Sequence, residues 1–167
     1  LRTPSRLLIL ADLLNIFFKG FVNELAEKVF PNSTYIIYSG GDDLLLVGAW
    51  NDIYEFAKIV ANEFHSFTNN PALRISAGYF IGHSKFPFYQ GVALANRALD
   101  GFAKENIGKD SISFIGEKLN FNTMNWKTLE KADELYSLLI ELIEGKVSRA
   151  LLFKLEQLLE IENLGGD

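Results

Sequence analysis

Between two stretches of helical periodicity lies YSGGDDLLLVG, residues Tyr38 to Gly48, and it constrains the fold more than any other segment. Thr34 to Ser39 (TYIIYS) is β-branched and aromatic, Asp43 to Val47 is an apolar run, and both read as strands, the continuous Leu44 to Val47 as a central strand covered on both faces that sets the aspartates beside a dry core. Gly40-Gly41 between them supplies the positive φ angles of a tight hairpin turn. A hairpin set between helices calls for an α+β chain.

The flanking patterns give the order of elements. Thr3-Pro4 opens a helix, with Thr3 as N-cap and Pro4 at the first helical position, and the helix runs to about Phe30. Its apolar stripe is Leu7, Leu10, Leu14, Phe17, Phe21, Leu25 and Val29, with Lys19, Glu24, Glu27 and Lys28 on other faces. Asn51 or Asp52 caps a second helix on Ile53, Phe56, Ala57, Val60 and Phe64, ending near Asn69-Asn70-Pro71. LRISAGYFIG, from Leu73, reads as a third strand. A third helix runs from about Tyr89 to Glu105 on Val92, Ala95, Leu99 and Phe102, and Ser111 to Ile115 forms a fourth strand.

This succession predicts a ferredoxin-like βαββαβ palm without its first strand, which would lie just before Leu1. The chain begins Leu1-Arg2 instead of Met, which reads as a segment of something longer. We divide it into a palm over residues 1–118 and a C-terminal helical domain over 119–167. In the latter, Trp126, Leu129, Leu135, Leu138 and Leu142 mark one helix, stopped by Gly145. Leu151, Leu155, Leu158 and Ile161 mark a second, giving a helical hairpin.

Composition removes several functions. With 167 residues, about half of them hydrophobic, the chain supports its own core and needs no staples. The absence of cysteine excludes disulfides, thiol nucleophiles and Cys-ligated zinc, and fits a reducing cytoplasm. A net charge of −5 offers no basic stripe for nucleic-acid phosphates, and no apolar run reaches the length of a membrane span. His65 and His83 belong to a helix surface and a loop, and neither is a candidate ligand.

Asp42 and Asp43 carry the candidate chemistry. Aspartate suits a hairpin tip for purely conformational reasons, because it tolerates turn geometry and bonds its own backbone. Against that, two carboxylates about 5.5 Å apart repel by roughly 3 kcal/mol at an effective dielectric of 20. Protonation, solvent or a hard oxygen-seeking cation relieves the repulsion, and Mg²⁺ bound by one or two carboxylates plus substrate phosphates is a common solution. Neighbouring strand residues point to opposite faces, so both aspartates reach one ion only if the turn twists one of them around. Lys104 and Lys109 flank a glycine turn at a helix end, where they complement the helix dipole or approach a triphosphate.

SGGDD between apolar strands, RISAGYFIG and ALANRALDGFAKENIGKDSISF together resemble the nucleotide-cyclase palm superfamily. Diguanylate cyclases carry Gly-Gly-Asp/Glu-Glu-Phe at this turn, whereas this chain has Gly40-Gly41-Asp42-Asp43-Leu44. The Asp-Asp form, the leading helix SRLLILADLLNIFFKGFVNEL and the helical tail resemble the second palm and C-terminal domain of the large subunit of type III CRISPR effector complexes, Csm type. That resemblance implies conversion of ATP to cyclic oligoadenylate second messengers when the complex holds target RNA. Asp42 and Asp43 would be the catalytic Mg²⁺ or Mn²⁺ ligands, with Ser39, Gly40, Gly41 and Lys104 as nucleotide contacts. It implies as partners the other effector subunits, guide and target RNA, and the remainder of the large subunit. As a part of that subunit the chain by itself would be inactive. The alternatives are a diguanylate-cyclase-like domain using GTP and a non-catalytic module that docks other subunits.

Overall fold

The structure, a computed structural model, describes residues 3–106, 108–117, 120 and 122–143. The chain divides into two compact units, the first ending at Thr123 and the second starting at Met124. In the first, α1 (Pro4–Asn15), a π-helical segment (Ile16–Phe21) and α2 (Val22–Val29) lead into the strands β1 (Thr34–Gly40) and β2 (Asp43–Gly48). Helix α3 (Trp50–Thr68), strand β3 (Ala77–Ile81), helix α4 (Phe88–Ala98), a second π-helical segment (Leu99–Ala103) and β4 (Ser111–Gly116) follow. The short strand β5 (Asn122–Asn125) contains the boundary between the units, and α5 (Trp126–Ile143) lies in the second.

The helix–hairpin–helix–strand–helix–strand order is the α+β palm succession read from the sequence. The differences lie at element ends and faces. Thr3 occupies the N-cap of α1, ahead of Pro4, but its side chain makes no capping bond. Helix α3 starts at Trp50 with Ala49 as N-cap, two or three residues before the expected Asn51 or Asp52. The backbone N–H groups of Asp52 and Ile53 reach the Ala49 carbonyl, so the first turn closes without a side-chain cap. Asn69, in the left-handed conformation with φ 42°, ends α3 as the sequence suggests. Strand β3 begins only at Ala77, because Leu73 and Ile75 are drawn instead onto the core of the helical layer. Strand β5 has no counterpart among the expected elements. The second helix of the expected C-terminal hairpin, on Leu151 to Ile161, and the Gly145 stop lie outside the described residues.

The first helix buries a stripe different from the expected one. Phe17, Phe18, Val22 and Ala26 are buried, while Phe21 and Val29 are exposed. The cause is the π-helical segment: its wider turn holds one more residue than an α turn, so every later residue rotates past its α-helical place. Phe17 is thus followed in the core by Val22, not Phe21. The third helical run repeats the effect, with Ala98 and Ala103 buried across the second π segment and Phe102 exposed.

Phe17 is the centre of this core. Its ring stands 5.1 Å from Phe18, 5.4 Å from Phe64 and 5.1 Å from Phe67. Phe56, Val60 and Phe64 of α3 complete the cluster, and Leu44 and Leu46 of β2 pack against it. The apolar run of β2 therefore hides a two-residue alternation. Continuous coverage on both faces is not observed: Leu44 to Leu46 are half-buried and Val47 is exposed.

The strands form two sheets. The hairpin β1–β2 is one, and β3–β4–β5 is the other, with β3 and β4 parallel from Ala77–Ile112 to Ile81–Gly116. Among the described residues β2 and β3 each keep one edge that no strand pairs. The Tyr79 hydroxyl of β3 donates to the Trp50 carbonyl of α3, and its ring lies 5.4 Å from Phe114. Burial pushes this phenol well above its ordinary value.

Because the folded-state value is raised, the folded chain keeps a proton that the unfolded chain loses above about pH 10. The stability from this group is complete below that pH and falls as pH rises toward the folded value. We expect the urea midpoint to decline above about pH 10 and Tyr79→Phe to flatten that decline; parallel curves for the two proteins would contradict the assignment. Phe17→Ala should lower unfolding free energy by about 3–5 kcal/mol, measured by urea denaturation.

Candidate functional site

The hairpin tip is held on the first helix by two hydrogen bonds. The Gly41 amide donates to Oδ1 of Asn15 at 3.1 Å. One residue pair back, the Ser39 hydroxyl donates to the Phe18 carbonyl at 2.6 Å. Both acceptors sit at or within the π-helical segment. A parallel arrangement closes the other segment, where the buried Ser111 hydroxyl donates to the Ala103 carbonyl at 2.7 Å. In each case a serine on a strand seals a helix at its wide turn.

The turn itself is set by Gly41, whose φ of 62° favours glycine. Of the expected glycine pair only Gly41 adopts positive φ. Gly40 instead ends β1 in register with Asp43. A Cβ at Gly40 would stand 3.0 Å from Cε of Lys19 and 3.2 Å from the Tyr38 hydroxyl, so its role is to leave room. The pairing of β1 with β2 slips between Ile36 and Tyr38, a bulge that leaves both Ile37 and Tyr38 exposed and turns Ser39 toward the helix.

Asp42 and Asp43 are exposed at the end of this fixed turn. Among the described residues neither carboxylate has a hydrogen-bond or ion-pair partner, and no group of three or more acidic or histidine side chains converges. The carboxylates face solvent instead of a dry strand, so water relieves part of their mutual repulsion. Two free carboxylates suit a cation that fills its remaining positions with water and phosphate oxygens.

The structure thus brings Ser39, Gly40, Gly41, Asp42 and Asp43 to one turn. Ser39 spends its hydroxyl proton on Phe18, which leaves acceptor capacity only. Lys104 stands apart: its ammonium pairs with Asp100 at 2.9 Å on the same helical run, exposed to solvent. Among the described residues no hydrogen bond or ion pair joins it to the hairpin. Sequence reasoning missed Asn15 and Lys19. The signal was a polar recurrence of Asn15, Lys19 and Asn23 every four residues along the helix.

Other features lie elsewhere. His65, expected on the surface, is half-buried and bridges to Asp110 at 2.9 Å, while Arg74 reaches the other oxygen of Asp110 at 3.1 Å. A cavity of about 280 Å³ opens beside His65, Asn69, Asn70 and Arg74, and another of about 240 Å³ beside Asn23, Glu27, Pro31 and Tyr35. Neither includes the aspartates. Among the described residues no helix is long and apolar enough to cross a membrane.

A glycine-acid hairpin seated on a helix and followed by helix, strand, helix and strand defines a palm domain. The family described as Cas10/Cmr2, second palm domain, matches residues 1–113, and the chain belongs to that family, found in the large subunits of type III CRISPR effectors. It is 34% identical over 127 residues to the CRISPR system single-strand-specific deoxyribonuclease Cas10/Csm1 (subtype III-A) of Methanocaldococcus jannaschii, which covers 70% of this chain and 15% of that protein. The Mycobacterium tuberculosis protein of the same description is 30% identical over 172 residues, 94% of this chain and 21% of that protein. The Cmr subunit Cmr2 of Pyrococcus furiosus is 37% identical over 91 residues, 52% of this chain and 10% of that protein. The chain therefore spans about a fifth or less of these curated relatives.

If the two bonds hold the tip, removing either donor or acceptor should loosen it without unfolding the core. Ser39→Ala and Asn15→Ala should each cost about 1 kcal/mol and speed hydrogen exchange at the Gly41 amide. Unchanged exchange there in the Asn15 variant would contradict the clamp.

Proposed function

We propose that this palm is the part of a type III CRISPR large subunit that binds ATP with a divalent cation and joins it into cyclic oligoadenylates when the complex holds target RNA. The observation that supports this most is the presentation of Asp42 and Asp43: exposed, free of partners among the described residues, and carried on a turn fixed to the first helix. In this reading the two carboxylates hold Mg²⁺ or Mn²⁺. Such an ion, when bound there, would supply charge neutralisation at the triphosphate. Gly40 and Gly41 let the backbone approach the nucleotide. The fixed turn keeps the donors aimed while the 3′-hydroxyl of one nucleotide gives its proton to water and attacks the α-phosphorus of the next, the bond from that phosphorus to the bridging oxygen breaking as pyrophosphate leaves. Chemistry of this kind depends mostly on positioning and charge.

The unpaired edges of β2 and β3 bear on the partners. In this reading a strand from the rest of the large subunit seats between β2 and β3, joins the two sheets and brings a further carboxylate beside the hairpin. Other effector subunits, with guide and target RNA, complete the assembly. A second reading, an assembly module without catalysis, is favoured by α1, none of whose residues is buried and whose Leu7, Leu8, Ile9 and Leu13 are exposed. Such a face suits contact with a neighbouring protein surface. The docking role is compatible with the first reading if α1 docks while the hairpin reacts.

The test uses the full effector complex with ATP, Mg²⁺ and target RNA. Replacing Asp42 and Asp43 by Asn should lower cyclic product at least about 100-fold while guide and target RNA remain bound. Undiminished product would overturn the catalytic reading and leave the docking role.

A further inference from the structure

We infer that Lys19, in the π-helical segment of the first helix, is a phosphate-binding residue of the hairpin site, the cation that receives the triphosphate tail of a nucleotide held at Asp42 and Asp43. This rests on the reading of the hairpin as a nucleotide site and names a residue which that reading does not include.

Three observations carry it. Lys19 reaches the turn from outside the hairpin: its Cε would lie 3.0 Å from a Cβ at Gly40, so the end of the side chain lies along the glycine backbone. Its ammonium is exposed and has no ion-pair partner among the described residues, unlike Lys104, whose charge is already matched by Asp100. Its backbone is not free to drift. Asn15, one turn before it, is bonded to the Gly41 amide, and Phe18, next to it, accepts from Ser39.

The wide turn explains how Lys19 comes to stand beside the hairpin. In an unbroken α-helix the stripe running through Phe17 continues at Phe21; the additional residue of the π segment puts Val22 in the core instead and rotates the intervening residues. Phe17 and Phe18 both face inward, and the next residue, Lys19, comes out beside the hairpin tip. π-helical turns are frequent at functional sites because they re-aim a side chain in this way. The bulge in β1 acts from the other side and lays the exposed Tyr38 along the same glycine. The result is a corner of one ammonium, one phenol and one side-chain-free backbone next to two carboxylates. A cation held by the carboxylates would bind a polyphosphate, and the ammonium would offset part of the polyphosphate's remaining charge.

A competing role for Lys19 is to offset the repulsion of the two aspartates. The two roles have different consequences. A phosphate contact strengthens with the number of phosphates on the ligand; a charge offset acts on the carboxylates and competes with the cation.

The test uses the assembled effector complex and the variants Lys19→Gln and Lys19→Arg. Titrations with a non-hydrolysable ATP analogue, AMP and adenosine in Mg²⁺ read binding, and initial rates against ATP concentration read KM and kcat. The expected result for Lys19→Gln is about tenfold or greater weakening for the ATP analogue, little change for adenosine, and a KM raised by a similar factor at near-normal kcat. Lys19→Arg should recover most of the loss. Equal weakening for all three ligands, unchanged ATP-analogue binding, or tighter Mg²⁺ binding with nucleotide affinity intact would each overturn the proposal. The outcome is separable from the wider reading: Asp42→Asn and Asp43→Asn test catalysis at the hairpin, whereas the binding series tests Lys19 whether or not product forms.

Discussion

The whole palm is organised by the way a hairpin is seated on a helix. A two-stranded hairpin alone is marginal in water, and β2 has no second strand to pair with among the described residues. Its stability comes from one face, where Leu44 and Leu46 rest on the cluster of Phe17, Phe18, Phe56 and Phe64. Its orientation comes from two polar contacts, Ser39 to Phe18 and Gly41 to Asn15. The apolar contact is strong but tolerant of sliding; the hydrogen bonds are weak but directional. Together they fix where Asp42 and Asp43 stand.

The two wide helical turns are built alike. Each shifts the buried stripe by one residue and each has a carbonyl taken up by a strand serine, Phe18 by Ser39 and Ala103 by Ser111. A straight α-helix would bury Phe21 and Phe102 in place of Val22 and Ala103. The exposure of those phenylalanines is the visible cost of the arrangement.

Much of this was legible in the sequence. The hairpin, the helices and the order of the strands followed from periodicity and turn residues, because those signals are local. The grouping of Ser39 to Asp43 was legible for the same reason: the residues are contiguous. What escaped was non-local or depended on one residue of register. A π turn has no distinct periodicity of its own, so the stripe through Phe21 and Val29 read as continuous. The partnership of Asn15 and Lys19 with the tip joins residues more than twenty positions apart. Lys104 was nominated by resemblance, and its ion pair with Asp100, four residues away on the same helical run, is a local contact that leaves that nomination untouched. The half-covered state of β2 was hidden because Leu44 to Val47 look alike whether one face or both are buried.

The central claim is that Asp42 and Asp43 hold a cation which a nucleotide triphosphate shares. The most direct measurement is electron paramagnetic resonance of Mn²⁺ added to the full effector complex, with and without an unreactive ATP analogue. The account predicts bound Mn²⁺ whose signal changes with nucleotide and is lost when both aspartates are replaced by Asn. A bound, nucleotide-sensitive Mn²⁺ signal that is the same in the double variant would contradict it.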